Sequence, residues 1–577
     1  MEIKFHLAAY EPAYQAALQT AANSQLVERV WSKDHTVWNP QPTEISNRLG
    51  WLDIAERIQP EAAALTLYAR QLQAEGYTHA LLLGMGGSSL APEVYSRLLA
   101  AAGGMQLGVV DSTDPDYIRQ YAEQYDPART LYIVSTKSGG TVETLSLFKY
   151  FYNQVTASLR GMRYANSADE AIPESELQAG LETASPAQGG LAETVGRHFI
   201  AITDPGSSLA ALAEQHQFRS IFLADPNIGG RYSALSHFGL VPTALLGIDL
   251  GQLLAAAVAA ATSCHQPAEH NPGVQLGVAL GVLAQAGRDK MTYITPEHLQ
   301  GFGDWAEQLI AESTGKHGQG ILPVVAEPLG NLGDYGEDRV FIALGPQDGA
   351  AASVLETARA AGHPVIEVSW DGEYALGAQY FVWEFATAVT GHVLDIQPFD
   401  QPDVESAKVQ GRAFVDEYTR TGSLPAGEQR QLTPDALRST LGQAAAGDYV
   451  ALQAYAAPSP QLTAALQELR SYILHTQHVA STLGYGPRFL HSTGQLHKGD
   501  AGRGIFIQFV TQPPADDLLI PDAAGDSASA LSFGVLKAAQ ALGDAAALRA
   551  AGRRVTSFAV NGDLAAELQA VLRELLA

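Results

Sequence analysis

The chain has 577 residues, 35 basic against 61 acidic side chains and a formal charge of −26. That length calls for several packed units rather than one core, and a hydrophobic content of 46% with 17% charged residues is ordinary for a globular chain. The carboxylate excess excludes the basic footprint that nucleic acid or an anionic membrane needs, so an anionic ligand must be held by placed cations and backbone N–H groups.

In chain order, residues 1–70 read as helices around a Trp- and Pro-containing link at 31–40. From 71 to 250, short apolar runs at 78–84, 106–111, 131–135, 199–203 and 220–223 alternate with helical spacings at 91–102, 115–125 and 141–155. Residues 161–196, rich in Ala, Gly, Ser and Glu, read as a surface insertion, partly mobile. A second alternation fills 251–445, with strands expected at 292–294, 321–326, 340–344 and 365–370 and helices at 305–314, 350–361 and 380–394. A smaller block follows at 446–577, with strands near 449–453, 505–510 and 555–560 and a terminal helix. The expected fold class is α/β: two doubly wound, mainly parallel sheets in three αβα layers, plus a C-terminal α/β extension. The apolar stretch 240–261 is broken by Pro242, Asp249 and Gln252 and reads as a buried helix pair, not a membrane span. One cysteine, Cys264, leaves no internal disulfide and no cysteine-built metal site. With no basic-then-apolar leader at residues 1–6, it points to the cytoplasm.

Six segments carry chemistry. Gly84-Met85-Gly86-Gly87-Ser88-Ser89 stands between a strand and a helix, where bare backbone meets a helix N-terminus. A dinucleotide site is a competing reading of it, although Asp111 is only loosely spaced for a ribose. Ser135-Thr136-Lys137-Ser138-Gly139-Gly140-Thr141 has the short donors, glycines and positive dipole end of a phosphate nest. Arg231, in Gly229-Gly230-Arg231-Tyr232-Ser233, suits a developing oxyanion. Gln308 and Glu312 lie four apart, on one helix face, with Glu312 near the helix end at Thr314-Gly315. Pro398-Phe399-Asp400-Gln401 leads to Glu405 and Lys408. Arg488 to Gly499 brings His491 and His497 beside Lys498, a setting for proton transfer. Taken singly, an exposed helix glutamate or a structural histidine is commoner than any of these roles.

Together the segments resemble phosphoglucose isomerase, whose fold is a pair of sugar-isomerase (SIS) domains. The matches are Gly-x-Gly-Gly-Ser at 84–88, Ser/Thr-Lys-Ser-Gly-x-Thr at 136–141, Gly-Gly-Arg-Tyr-Ser at 229–233, Glu-Ser-x-Gly-Lys at 312–316 and Phe-Asp-Gln-x-x-Val-Glu-x-x-Lys at 399–408. They come in the family's order, and the resemblance runs from about residue 30 to 500. The ends look most like the isomerase half of fused transaldolase/isomerase proteins, so association with a separate transaldolase is a further expectation.

The resemblance implies reversible isomerisation of glucose 6-phosphate to fructose 6-phosphate, in glycolysis and gluconeogenesis, through ring opening and a cis-enediol. It implies no cofactor, no metal and a homodimer. Gly87, Ser88, Ser135, Thr136, Lys137 (through its backbone), Ser138 and Thr141 would bind the phosphate end, and Gln308 the open-chain sugar. Glu312 would shuttle the proton, Arg231 would stabilise the enediolate, and Lys408 would assist ring opening. In the family a histidine for ring opening precedes the lysine, whereas His317, His363 and His392 have no matching context here. That role goes to His497, with His491 as the alternative. The other functional readings are a non-catalytic sugar-phosphate sensor and an isomerase that also accepts mannose 6-phosphate.

Overall fold

The structure is a computed structural model describing residues 1–99, 103–166, 191–514 and 516–576. Its strands are β1 (Ile3–His6), β2 (His79–Gly84), β3 (Gln106–Val110), β4 (Thr130–Ser135), β5 (Phe199–Thr203), β6 (Ser220–Leu223), β7 (Lys290–Ile294), β8 (Leu322–Val324), β9 (Arg339–Leu344), β10 (Val365–Val368), β11 (Gln429–Gln431), β12 (Tyr449–Tyr455), β13 (Ala480–Tyr485), β14 (Gly504–Thr511), β15 (Leu519–Ile520), β16 (Leu531–Ser532) and β17 (Arg554–Val560).

The first sheet has the order β3-β2-β4-β5-β6 and is parallel throughout. The second has the order β1-β10-β9-β7-β8 and is parallel except for β1. The third, β11-β17-β14-β12-β13, is again parallel. Strands β15 and β16 form a small antiparallel pair. With the edge strands β1 and β11 set aside, all three large sheets share one winding: the second strand lies outside the first, and the chain then returns past the first to build the other side. Such a reversal opens a crevice at the strands' carboxyl ends. In the first sheet it falls between β2 and β4, and both strands are almost wholly buried, as parallel strands covered on both faces must be.

The two doubly wound sheets and the C-terminal α/β block stand as expected. Five strands escaped the sequence reading: β1, β11, β13 and the two-residue pair β15 and β16. Residues 1–70 are not all helical: β1 pairs antiparallel with β10, Ile3 opposite Val368. Its Ile-Lys-Phe-His alternation is the period of an edge strand with one face buried. Strand β13 is rich in Ser, Thr and Gly, and β11 is a polar Gln-Arg-Gln, so neither shows an apolar run. The helix after the nest runs from Val142 to Asn166, into the expected insertion, and Leu191–Gly196 leaves it. The remainder of that insertion, 167–190, lies outside the described residues. The 240–261 stretch is the helix pair His237–Leu245 and Leu250–Ser263. Among the described residues no helix is long and apolar enough to cross a membrane.

The helix Leu250–Ser263, the helix Pro272–Gln285 and the helix Ala375–Val393 pack together in the main core. Pro272–Gln285 carries glycines every fourth residue toward its neighbour. A Cβ on Gly277 would come within 2.7 Å of Val389 Cβ and closer still to the Ala386 carbonyl. Gly277→Ala is therefore expected to destabilise the fold by ~1–3 kcal/mol through overpacking, read as a lower urea midpoint; an unchanged midpoint would show that the helices part freely.

The same core buries Glu384, fully shielded, with neither carboxylate oxygen partnered among the described residues. Burial pushes its carboxyl well above the usual range. The unfolded chain releases this proton as pH rises through the ordinary carboxylate range, while the folded chain keeps it. Stability is therefore lost as pH climbs above that range. Glu384→Gln removes the loss. Its stabilisation relative to the native chain should grow by ~2–3 kcal/mol between about pH 5 and pH 7, at ~1.4 kcal/mol per unit. Thermal unfolding at the two pH values measures it, and an equal effect at both would refute the protonated state.

Candidate active site

At the carboxyl edge of the first sheet lies a cavity of about 410 Å³. Its lining includes Gly87, Ser88, Thr136, Lys137, Ser138, Thr141, Arg231, Gln308, Glu312, Lys408 and His491. All three sheets contribute: the loops after β2, β4 and β6, the Gln300–Thr314 helix after β7, the Glu405–Thr421 helix, and the 3₁₀ turn Arg488–His491 after β13.

The nest forms because the β2 and β4 loops meet across the crevice. Thr136 and Thr141 share a hydroxyl hydrogen bond of 2.8 Å at the start of the Val142–Asn166 helix, whose N-terminal N–H groups supply a positive end. The Lys137 ammonium turns away to Asp204 and to the Pro226 carbonyl, so its backbone is what it offers the nest. Two glycines are dictated by contact. Gly86 has φ +56°, and a Cβ there would meet the His491 carbonyl at 2.7 Å. A Cβ on Gly87 would run into the Gly230 backbone, which is how the Arg231 loop comes against the nest.

Next to the nest, Arg231 Nη1 pairs with Glu312 Oε1 at 2.9 Å, the two side chains 4% and 9% exposed. Arg231 is fixed on its other sides: it donates to Ser313 Oγ at 2.8 Å and to the carbonyls of Pro398 and Asp400 at 2.6 and 2.9 Å. Gln308 Nε2 donates to Glu312 Oε2 at 3.0 Å and to the His491 carbonyl at 2.7 Å, so one amide ties the glutamate helix to the histidine turn. Gln308 Oε1 is buried without a partner among the described residues. Behind the pair, Lys316 donates to Asp400 Oδ1 at 2.6 Å and to the Gln397 and Asp400 carbonyls. Burial, with Arg231 beside it, brings this ammonium down to about 7. Gly315 does not end the helix in a left-handed turn; a Cβ there would strike Leu496.

His491 Nε2 stands 3.0 Å from Glu143 Oε1. Burial alone would raise Glu143, but His491 and, more weakly, Lys408 hold it below the usual range. A carboxylate needs a donor facing it, so Nε2 carries the proton and Nδ1 is the nitrogen left for another partner.

Two expectations are corrected. His497 does not reach the cavity: it is 2% exposed, packed edge-on against Phe506 at 4.9 Å, and its Nε2 has no partner among the described residues. Burial drives its imidazolium well below the usual range, so it is a neutral core histidine, shut off from this cavity. Ser135 is wholly buried beneath the nest, its hydroxyl donating to the Ser88 carbonyl at 3.2 Å. It supports the loop and does not line the cavity.

Other lining residues went unnoticed. Arg48 and Glu44, paired at 2.7 Å, come from the N-terminal segment, and Gln401 and Ser492 complete the wall. Gln401 and Ser492 stood inside quoted motifs; Arg48 and Glu44 had no local signal. A second cavity of about 440 Å³ adjoins the first and shares Ser138, Thr141, Lys408 and His491 with it.

The phosphoglucose isomerase family model matches residues 72–326, the stretch that carries the nest, Arg231, Gln308 and Glu312. The "Probable glucose-6-phosphate isomerase" of Haloarcula marismortui is 27% identical over 375 residues, 58% of this chain and 77% of the relative. The glucose-6-phosphate isomerase of Rubrobacter xylanophilus is 26% identical over 393 residues, 59% of this chain and 83% of the relative. The crystal structure of a hypothetical protein from Thermus thermophilus superposes with a TM-score of 0.57 at 23% identity, covering 71% of this chain and 99% of that one; it speaks to the fold alone. Family model, relatives and fold agree over residues 72–326, and over that stretch the chain is similar to the phosphoglucose isomerase family.

Proposed function

We propose that this chain interconverts glucose 6-phosphate and fructose 6-phosphate as an aldose–ketose isomerase, and that the cavity described above is where it does so. The observation that carries the assignment to this cavity is the buried Arg231–Glu312 pair lining the same 410 Å³ space as a hydroxyl-rich nest.

The chemistry follows from the placement. Ser88, Thr136, Ser138 and Thr141, with backbone N–H groups at Lys137 and the helix start, hold the phosphate dianion. His491, its proton state set by Glu143, and Lys408 exchange protons with the ring oxygen and the anomeric hydroxyl to open the ring. Glu312 takes the proton from C2 and returns it at C1. The Arg231 guanidinium, already desolvated and pinned, faces the negative oxygen that develops on the enediolate. Gln308 helps hold the open-chain sugar by keeping Glu312 and the His491 turn in place. Arg231, Lys137 and Arg48 each face a carboxylate that also lines the cavity, so Lys408 and the helix-start N–H groups supply the local positive end that a chain of charge −26 otherwise lacks.

A pure sugar-phosphate sensor is not favoured, because it has no use for a buried base–guanidinium pair. A range broadened to mannose 6-phosphate is not favoured either. The division into a helical segment 1–70, sheet units 71–250 and 251–445, and an extension 446–577 belongs to this reading, as do a homodimer, a cytoplasmic setting and a transaldolase partner. The buried free thiol of Cys264 supports a reducing compartment. A coupled assay on both substrates in deuterated water tests the function. Interconversion with solvent deuterium entering at C1 or C2 is the expected result, and tight sugar-phosphate binding without turnover would overturn it.

A further inference from the structure

The carboxylate that faces His491 has a second partner, and it comes from the far end of the chain. Gln540, on the helix Phe533–Ala550, donates from Nε2 to Glu143 Oε1 at 2.7 Å, the same oxygen that His491 Nε2 meets at 3.0 Å. The amide cannot turn over. Thr113 Oγ1 donates to Gln540 Oε1 at 2.7 Å, and a flipped amide would put its carbonyl against a carboxylate. Gln540 is 9% exposed and Glu143 4%, so water competes weakly for either bond. The helix is anchored beside this contact by Lys537, which donates to Asp114 Oδ2 and to Thr511 Oγ1, both at 2.8 Å. Gln540 also borders the adjoining 440 Å³ cavity, with Glu143, Lys408 and His491. The residues matched by the family model end at 326, so this contact comes from the part of the chain beyond them.

From this geometry we infer that Gln540 is a positioning residue for ring opening, through which the C-terminal extension sets the proton affinity of the Glu143–His491 pair. The inference rests on the reading of His491 given above. A neutral donor on a buried carboxylate stabilises its charged form. With Gln540 in place Glu143 stays ionised, keeps the Nε2 proton on His491 and leaves Nδ1 to work on the sugar. Without it the carboxylate becomes more basic and draws that proton toward itself.

The test uses the full-length chain and four readouts: interconversion, anomer exchange of fructose 6-phosphate by NMR, the pH–rate profile, and thermal unfolding. Gln540→Leu is expected to slow anomer exchange about ten-fold (~1.4 kcal/mol on the barrier), with KM nearly unchanged and the acid limb of the profile displaced to higher pH. Gln540→Glu supplies a donor only while one proton is shared between the two carboxylates. It should approach native rates at low pH and fall away as pH rises, a pattern that a merely structural glutamine would not give. Native anomer exchange and an unmoved acid limb in folded Gln540→Leu would overturn the inference. Failure of the underlying reading looks different: His491→Asn would then keep native anomer exchange, or the native chain itself would not interconvert the substrates.

Discussion

Glu312→Gln is expected to lower kcat for interconversion by ~10²–10⁴-fold, the range a single general base supplies. The amide has the shape of the carboxylate and can still accept from Arg231 Nη1, now 2.9 Å away. The guanidinium keeps its bonds to Ser313, Pro398 and Asp400, so the cavity wall should stand. What is lost is the capacity to carry a proton from C2 to C1. The hydroxyls and N–H groups of the nest are unaltered, so KM should move little; a fall in kcat with KM held marks an interaction made at the transition state. Anomer exchange, which runs on His491 and Lys408, should survive, while solvent deuterium should stop entering C1 and C2. A variant within a factor of ten of the native kcat would remove Glu312 from the proton transfer.

The second large effect concerns stability. Glu327 accepts from Arg339 Nη1 at 2.7 Å and from the Ser481 backbone N–H at 2.8 Å. It therefore joins β9 of the second sheet to β13 of the third. Arg470 lies in the same seam, donating to the Ala326 and Ser481 carbonyls at 2.9 and 2.6 Å. Burial pulls its guanidinium down to about 10 against the opposing attraction of Glu327. Arg339 is wholly buried and Glu327 nearly so, at 0% and 1% side-chain exposure. Glu327→Ala strands two buried guanidinium groups and should cost ~3–5 kcal/mol, as breaking a buried pair does. Urea unfolding followed by fluorescence should show a lower midpoint. Activity should be lost together with the seam, since His491 follows β13. The double variant Glu327→Leu, Arg339→Leu should recover part of the loss, because Arg339 is then removed with its partner and only Arg470, still held by the Ala326 and Ser481 carbonyls, lacks its countercharge. A single variant within about 1 kcal/mol of native would mean that water reaches the seam.

The sequence shows the sheets well where burial is two-sided. Strands β2, β4 and β5 are unbroken apolar runs and read directly. Strand β13, with Ser481, Thr482 and Gly484, is buried through its position beside β12 rather than through its composition, so no local pattern reveals it. The nest and the Arg231 loop are legible because their chemistry is local: glycine, hydroxyl and helix start lie within a few residues of each other. Choosing between His491 and His497 is not a local matter. Both sit in one segment, and only the packing shows that the first ends a 3₁₀ turn at the cavity wall while the second points into Phe506 and Tyr449. Gln540 reaches Glu143 across 397 positions, a link that no spacing rule could find.

Strand β1 adds a matter of timing. Glu2 N–H donates to Ser369 Oγ, 367 positions further on, where Ile3 faces Val368. Strand β1, made before β10, must therefore wait for it. At common rates of translation the interval is roughly 20–70 s, during which Ile3 and Phe5 have no sheet to lie on. On the ribosome the first sheet and its nest can assemble before β10 is made, whereas the edge of the second sheet is closed retroactively by residues that emerged long before it. An amino-terminal fusion that holds those residues back should leave the nest intact and the edge beside β10 open to a strand from another nascent chain.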